Sequence, residues 1–197
     1  DARWVTGPES RKRAHELRHQ YDAILVGSGT ALKDDPLLTD RSGLPRRRPL
    51  TRIVLDNRLQ LPLDSNLVRT AGDLQLIVFT SLNADQLKSS ALEQQRVEVS
   101  RVKDKDLLKV LEDLGSRSVQ SVLVEGGSEV AGSFLDARLV NKVTFFISPI
   151  IVGGREAPVA VAGGGVGLLV DALKVDHGVV ARTGEDIEVT GYPRQAE

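Results

Sequence analysis

DAILVGSGTALKDDPLLTDR, Asp22 to Arg41, is the stretch from which the fold class can be read. Ala23-Ile24-Leu25-Val26 is a short apolar run of β-formers and reads as a buried strand. Gly27, Ser28, Gly29 and Thr30 follow at once and read as a small-residue turn at the strand's end. In an open α/β sheet ligands bind at such strand ends, where backbone N–H groups are exposed and small side chains leave them accessible. Asp34 and Asp35 come next, then Pro36, which stops any helix, then Arg41. Glycines, carboxylates and an arginine this close together suit a phosphorylated, hydroxyl-rich ligand. An ordinary strand-to-helix turn with solvated charges would look the same, so the motif alone leaves both readings open.

Outward from this stretch, strands alternate with helices. Thr6-Gly7-Pro8-Glu9 resembles a capping box, with Thr6 as N-cap, and predicts a helix to about Gln20. Strands are predicted over Arg52–Asp56, Leu74–Thr80, Val97–Val99, Ser121–Val124 and Lys142–Ser148. Val179–Thr183 and Ile187–Thr190 are read as a final antiparallel pair joined through Gly184-Glu185-Asp186. Helices are expected from Asn83 to Gln94, from an Asp104 cap through Leu114, and from Ser128 to Ala137. The pattern implies an α/β fold with a mainly parallel sheet, helices on both faces and an antiparallel C-terminal hairpin. The arginines Arg46 to Arg48, between two prolines, read as solvated loop charges or as phosphate contacts. Gly163-Gly164-Gly165 and Gly167 mark either a lid or a connector.

Composition removes several function classes. The 197 residues suit a single domain, and a formal net charge of −1 gives no electrostatic case for nucleic acid or a membrane surface. No apolar run approaches the roughly 20 residues that span a bilayer. Without cysteine there is no thiolate chemistry, and His15 and His19, spaced as zinc ligands can be, lack a carboxylate partner pattern and read as a solvated helix face. The chain has no Met and begins at Asp1, so it is expected to be processed, trimmed or incomplete.

Val122-Leu123-Val124-Glu125-Gly126-Gly127-Ser128 is the second informative segment. A buried strand delivers Glu125 to its C-terminal end, and the glycines let a ligand touch backbone. The helix from about Ser128 offers free N–H donors and a positive dipole end to a phosphate. Gly-x-Gly-x-x-Gly is absent after the first strand, so a dinucleotide would not be held in the Rossmann manner.

Five blocks now fall in order: WVTGPESR from Trp4, DAILVGSGT…DDPLLTDR from Asp22, RIVLDNRLQLP from Arg52, LVEGGSEVAGSFL from Leu123 and FFISPIIVGG ending at Gly154. Together they resemble the reductase domain of bacterial riboflavin-biosynthesis proteins, which in that family often follows a pyrimidine deaminase domain. The resemblance implies a dihydrofolate-reductase-like fold, a homodimer, a cytoplasmic location and an NADPH-dependent reduction. The implied substrate is 5-amino-6-(5-phosphoribosylamino)uracil, whose ribosyl group becomes ribityl. Matched position by position, it implies NADPH against Trp4, Thr30, Asp34, Asn57 and the run Gly127, Ser128, Glu129, Val130, Ala131, Gly132 and Ser133. It assigns Ala2, Arg18, Leu38, Arg41 and Glu125 to the substrate, with Arg18 and Arg41 as a forked clamp on the 5-phosphate. Leu38 is expected to contribute backbone more than side chain. Arg58, beside Asn57, is added here as a contact for the cofactor's 2′-phosphate.

The chain departs from that family at Ala2, where serine is usual. It also lacks the family's lysine-bearing first strand upstream of Trp4 and the zinc site of a deaminase domain, so residues 1–197 are read as a single reductase domain without either. Two other readings stand beside this one. The chain could reduce the related 2,5-diamino-pyrimidinone phosphate before deamination, or be a catalytically silent nucleotide-binding or dimerisation module.

Overall fold

A computed structural model describes residues 5–104 and 106–194, so Ala2 and Trp4 lie outside the described residues. Five parallel strands, β1 (Ala23–Gly27), β2 (Thr51–Leu55), β3 (Leu76–Ser81), β4 (Glu98–Val102) and β5 (Val122–Val124), form a sheet of order β4-β3-β2-β1-β5. Every residue of β1 is buried, as are nearly all of β2 and β3, because both faces of this sheet are covered. Ile24, Val26, Val54, Leu76 and Val78 point to one side. There they meet Ala31 of α2 (Ser28–Asp34), Leu67 and Val68 of α3 (Asn66–Arg69) and Leu92 of α4 (Gln86–Gln94). Leu25, Ile53, Ile77 and Phe79 point to the other side, against Val110 and Leu114 of α5 (Leu107–Ser116) and Phe134 of α6 (Ser128–Asp136). The period-2 alternation of strand side chains thus builds two cores from one sheet.

A second sheet is antiparallel, with β6 (Val143–Ile147), β7 (Val175–Thr183) and β8 (Asp186–Pro193) in the order β6-β8-β7. Its hairpin turns through Gly184, at φ +65°, and Glu185, a tight connection in which glycine carries the left-handed position. The sequence reading put all strands into one sheet. The described residues separate β6 and the hairpin from the parallel sheet, since β6 pairs with β8 and β5 pairs with β1.

Helix α1 (Pro8–Gln20) ties the two sheets together. Its N-cap is Gly7 and not Thr6, and no side chain of its own caps it. Asp186 of β8 replaces the expected capping box: its Oδ2 accepts from Gly7 N at 2.8 Å and from Ser10 Oγ at 2.5 Å. A carboxylate at the positive end of a helix is favourable. Arg13 pairs with Glu188 of β8 at 3.2 Å. The far end of α1 belongs to the parallel sheet, through Arg18 and Glu125.

Two helices were not read from the sequence. Ser28-Gly29-Thr30, taken as a turn, is the first turn of α2, whose end at Asp34 precedes Pro36 as expected. The short α3 is capped by Ser65, whose Oγ accepts from Val68 N. Elsewhere the caps shift by two residues: α4 begins after Asp85 and α5 after Asp106, each with a side-chain oxygen on the free N–H groups.

Candidate active site

The C-terminal ends of β1, β2 and β5 bring the sequence-selected residues to one edge of the parallel sheet. Glu125 leaves β5, with its N–H donating to Leu25 O of β1 at 2.9 Å. Gly126 then passes so close to β1 that a Cβ there would lie 2.6 Å from Gly27 N and 2.7 Å from Val26 Cα. Only glycine fits between these strand ends. Thr30 Oγ1 of α2 accepts from Gly127 N at 3.2 Å and locks the two glycine segments together.

Glu125 is gripped by Arg18. Arg18 Nε donates to Oε1 at 2.8 Å and Nη2 to Oε2 at 2.6 Å, a forked pair between half-buried side chains. Arg18 Nη1 also donates to Thr39 O at 3.0 Å. Thr39 Oγ1 in turn accepts from Arg41 Nε at 3.2 Å, so Arg18, Thr39, Arg41 and Glu125 form one cluster. The expected double-arginine clamp is thereby modified. Three of the five N–H groups of Arg18 are engaged inside the protein, and the exposed Arg41 is the cation left open toward solvent. Leu38 has its side chain in the core and φ +51°, which leaves its backbone as the part that can face a ligand.

A neighbouring cleft is lined by three of the residues assigned to the cofactor: Asn57, just past β2, and Val130 and Ser133 of α6. Ser28 of α2, Phe79 and the α5 cap Asp106 line it with them. Helix α6 starts at Gly127 without a side-chain cap, so its first N–H groups are available to an anion. Asp34 and Arg58 are exposed near the same sheet edge, outside the cleft lining. The neighbouring Asp35 serves the fold: its carboxylate accepts from Asn66 N at 2.8 Å and Asn66 Nδ2 at 2.9 Å.

The glycine-rich segment left open as lid or connector docks on α6. Ala162 N donates to Ser128 O at 3.0 Å and Gly164 N to Asp136 Oδ2 at 2.7 Å, and a Cβ on Gly132 would run into the Ala162 carbonyl.

His15 and His19 are not a solvated face. His19 Nδ1 lies 2.8 Å from Asp40 Oδ2, and His15 lies against the arginine cluster with its Nδ1 buried and unpartnered. A position one turn before Arg18 was the available sequence signal for His15. Of the arginines Arg46 to Arg48, Arg47 and Arg48 are exposed as the solvated reading expects, and Arg46 departs from it. Arg46 binds the carbonyls that end α1, donating to Arg18 O at 2.9 Å and Tyr21 O at 2.6 Å, where a cation complements the helix dipole.

Asp40 holds this corner. It accepts from His19, from Arg46 Nη1 at 3.2 Å and from Ser42 N at 2.9 Å. Burial pushes its carboxyl upward, but these bonds together hold it well below the usual carboxylate range. Its stabilisation is therefore complete above the unfolded value near 3.9 and lost as pH falls toward the folded one. Denaturant melts should show stability falling below about pH 4, and Asp40→Asn should flatten that fall. An unchanged slope in the variant would remove Asp40 as a contributor.

Among the described residues no group of three or more His, Asp or Glu is placed to hold a metal ion, and no helix is long and apolar enough to cross a membrane.

The family profile described as the RibD C-terminal domain matches residues 1–188. Riboflavin biosynthesis protein RibD of Actinobacillus pleuropneumoniae is 36% identical over 191 residues, covering 95% of this chain and 50% of that protein. The 2,5-diamino-6-ribosylamino-4(3H)-pyrimidinone 5′-phosphate reductase of Methanothermobacter thermautotrophicus is 32% identical over 187 residues, covering 94% of this chain and 86% of that protein. Among solved structures, a diaminohydroxyphosphoribosylaminopyrimidine deaminase/5-amino-6-(5-phosphoribosylamino)uracil reductase from Thermotoga maritima superposes with a TM-score of 0.78 at 31% identity, over 98% of this chain and 51% of that one. Acinetobacter baumannii RibD superposes at 0.84 with 21% identity, over 98% and 53%, a likeness of fold. The chain spans about half the length of these bacterial RibD relatives. The dihydrofolate-reductase-like α/β fold expected from the sequence is the fold observed.

Proposed function

Because the chain belongs to the family of RibD C-terminal domains, we propose that it is an NADPH-dependent reductase of a phosphorylated ribosylaminopyrimidine in riboflavin biosynthesis. The observation that carries this reading is the adjacency of two sites of different chemistry. The Arg18–Glu125–Thr39–Arg41 cluster suits a phosphorylated sugar, and the cleft beside the uncapped α6 suits a nucleotide.

The residues present fit a dinucleotide. Ser128, Glu129 and Val130 in the first turn of α6 supply free helix N–H groups for a phosphate, Asn57 and Ser133 add polar contacts, and Thr30 fixes Gly127 in place. Trp4, Asp34 and Arg58 complete the proposed set. When bound, NADPH supplies the hydride that reduces C1 of the opened ribosyl group. The chain's own task is positioning. Glu125, oriented by the two bonds from Arg18, accepts hydrogen bonds from the pyrimidine or ribose edge. Arg41 takes the 5-phosphate and Leu38 offers backbone; Ala2 belongs to the same proposed set.

The substrate is proposed as 5-amino-6-(5-phosphoribosylamino)uracil. The archaeal relative covered over most of its length is named for the 2,5-diamino compound, which keeps that substrate as the second reading. Assay of the protein with both pyrimidines separates the two, and NADPH binding without turnover of either would favour the silent module. Preference for NADPH is expected to be at least about 30-fold in kcat/KM over NADH, the worth of a charge-assisted contact to the 2′-phosphate. Equal values would remove the cofactor assignment.

We further propose that a lysine-bearing strand upstream of Trp4 completes the site. β5 and β6 each pair on one side only among the described residues, and such edges call for a partner. A fused deaminase domain and a cytoplasmic location accord with the bacterial relatives' length and the same reading. A homodimer would use the antiparallel sheet and its following loop. Phe145 and Phe146 are half-buried, so exposed Ile147, Ile151, Leu169, Val179 and Val180 carry the apolar surface. Sedimentation should report a mass twice the monomer's, and a concentration-independent monomer would count against the dimer.

A further inference from the structure

Asp56 follows β2 directly, and its N–H donates to Phe79 O of β3 at 2.8 Å, which sets Thr80 opposite it at the next register position. Leu55, Asn57 and Phe79 line the cleft on one face of the sheet. Val54 and Val78 point to the other face, and strand alternation puts Asp56 and Thr80 there with them. Both residues are 0% exposed. Asp56 Oδ2 accepts from Leu61 N at 2.8 Å, and Asp56 O accepts from Leu59 N at 3.1 Å. One residue thus closes the turn whose exposed tip is Asn57 and Arg58. Leu59, at φ +50°, and Leu61 bury their side chains in the core and pin the far side of that turn. A leucine in the left-handed region persists only where its surroundings dictate it.

The second carboxyl oxygen, Asp56 Oδ1, is buried without a hydrogen-bond partner, and so is Thr80 Oγ1. Such groups lower stability, so a fully buried carboxyl group with one oxygen unmatched calls for an explanation. What Asp56 holds in place is the turn that brings Asn57 to the cleft.

We propose that Asp56 is a positioning residue of the cofactor site, which closes the turn bearing Asn57 and Arg58 and thereby sets the preference for NADPH over NADH. This rests on the reductase reading in taking a dinucleotide as the ligand of the cleft and Arg58 as the contact of its 2′-phosphate. Asp56 itself touches no ligand, since it is buried on the face away from the cleft. It acts through Leu59 N and Leu61 N. With the turn closed, the Arg58 side chain starts from a fixed backbone, and less freedom is lost when it meets a phosphate. With the turn loosened, that ordering falls due at binding. NADH has no 2′-phosphate and loses only what Asn57 contributes.

The test is equilibrium titration of the protein with NADPH, NADH and ribose 5-phosphate. Asp56→Ala should weaken NADPH about tenfold and NADH no more than about threefold, with ribose 5-phosphate unaffected. Asp56→Asn keeps an oxygen for Leu61 N and puts an amide donor next in register to the Thr80 hydroxyl, so it should restore the preference. Hydrogen exchange in the unaltered protein decides the matter if the alanine variant does not fold: at equal saturation, NADPH should protect the Leu61 amide more than NADH does. Equal losses for the two dinucleotides in Asp56→Ala, no loss for either, or equal protection of that amide overturns the proposal. Asparagine behaving as alanine does overturns it too, because charge and not the closed turn would then count. Arg58→Ala keeps the readings apart. If it erases the preference and Asp56→Ala does not, Asp56 alone is wrong. If it leaves the preference intact, the turn does not meet the 2′-phosphate and the proposal falls. If the unaltered protein binds neither dinucleotide, or both equally, the cofactor reading itself is wrong.

Discussion

Arg41→Ala is expected to lower kcat/KM about 30- to 1,000-fold, the equivalent of about 2–4 kcal/mol, with little change in NADPH affinity. The side chain is exposed and makes one neutral contact, to Thr39 Oγ1, so its removal costs the fold within about 0.5 kcal/mol. What is lost is the charge-assisted contact to the 5-phosphate, made beside an Arg18 whose fork is held by Glu125. NADPH is assigned to the cleft of Asn57, Val130 and Ser133, away from Arg41. Arg41→Lys should recover only part of the loss, because a point charge replaces a planar fork. The dephosphorylated substrate provides the control. If Arg41→Ala slows turnover of phosphorylated and dephosphorylated substrates equally, Arg41 is not the phosphate ligand.

The cluster around Arg41 also shows what a sequence can and cannot disclose. Arg41 and Glu125 were visible in the residues themselves, as an arginine beyond the aspartate–proline turn and a carboxylate at a strand end, and Arg18 through the family resemblance. Their pairing was not, since Arg18 and Glu125 are 107 positions apart and meet only through the docking of α1 on the sheet. The resulting ion pair changes the chemistry, because a fork spent on a carboxylate is not free for a phosphate. Strands β1, β2 and β3 were legible because strands covered on both faces are written as unbroken apolar runs. Helix α2 was not. Its first turn is Ser-Gly-Thr, poor in helix propensity, and it is held by tertiary contacts, Ala31 in the core and Thr30 on Gly127. Sheet membership was equally hidden. The run VTFFI of β6 marks a strand, half-buried at four of its five positions, but its pairing with β8, some forty residues later, is set by the chain between them. His15 and His19 were misread for the same reason: their partners Thr39 and Asp40 come from a loop with no periodicity to place it.

That loop depends on a residue to which the sequence assigned no role, and its loss gives the second large effect. Arg52→Ala is expected to lower folding stability by about 3–5 kcal/mol, a large part of the roughly 5–15 kcal/mol that holds a domain folded. Arg52 lies in β2, is 1% exposed, and meets no carboxylate among its recorded contacts. It donates instead to Thr70 Oγ1 at 2.8 Å, to Leu37 O and Leu67 O at 3.3 Å each, and to the carbonyls of Thr70, Leu74 and Gln75. Burial draws its guanidinium down to about 10, so it stays charged at neutral pH and those carbonyls act as its counter-charge. Alanine would leave a cavity and several buried acceptors without donors, and each such acceptor costs about 1–3 kcal/mol unless water reaches it. Methionine would refill the space but not the hydrogen bonds, so Arg52→Met should recover only the packing part. The damage should reach the active site along a defined path: Leu37 precedes Leu38, and α3, whose carbonyls Arg52 holds, carries the Asn66 that anchors Asp35. Denaturant unfolding should show a lowered midpoint at unchanged slope, and the residual folded protein should lose affinity for ribose 5-phosphate more than for NADPH. A loss below about 1 kcal/mol for Arg52→Ala would mean that water can replace the guanidinium among these carbonyls, and the loop would then owe its shape to Asp35 and Asn66 alone.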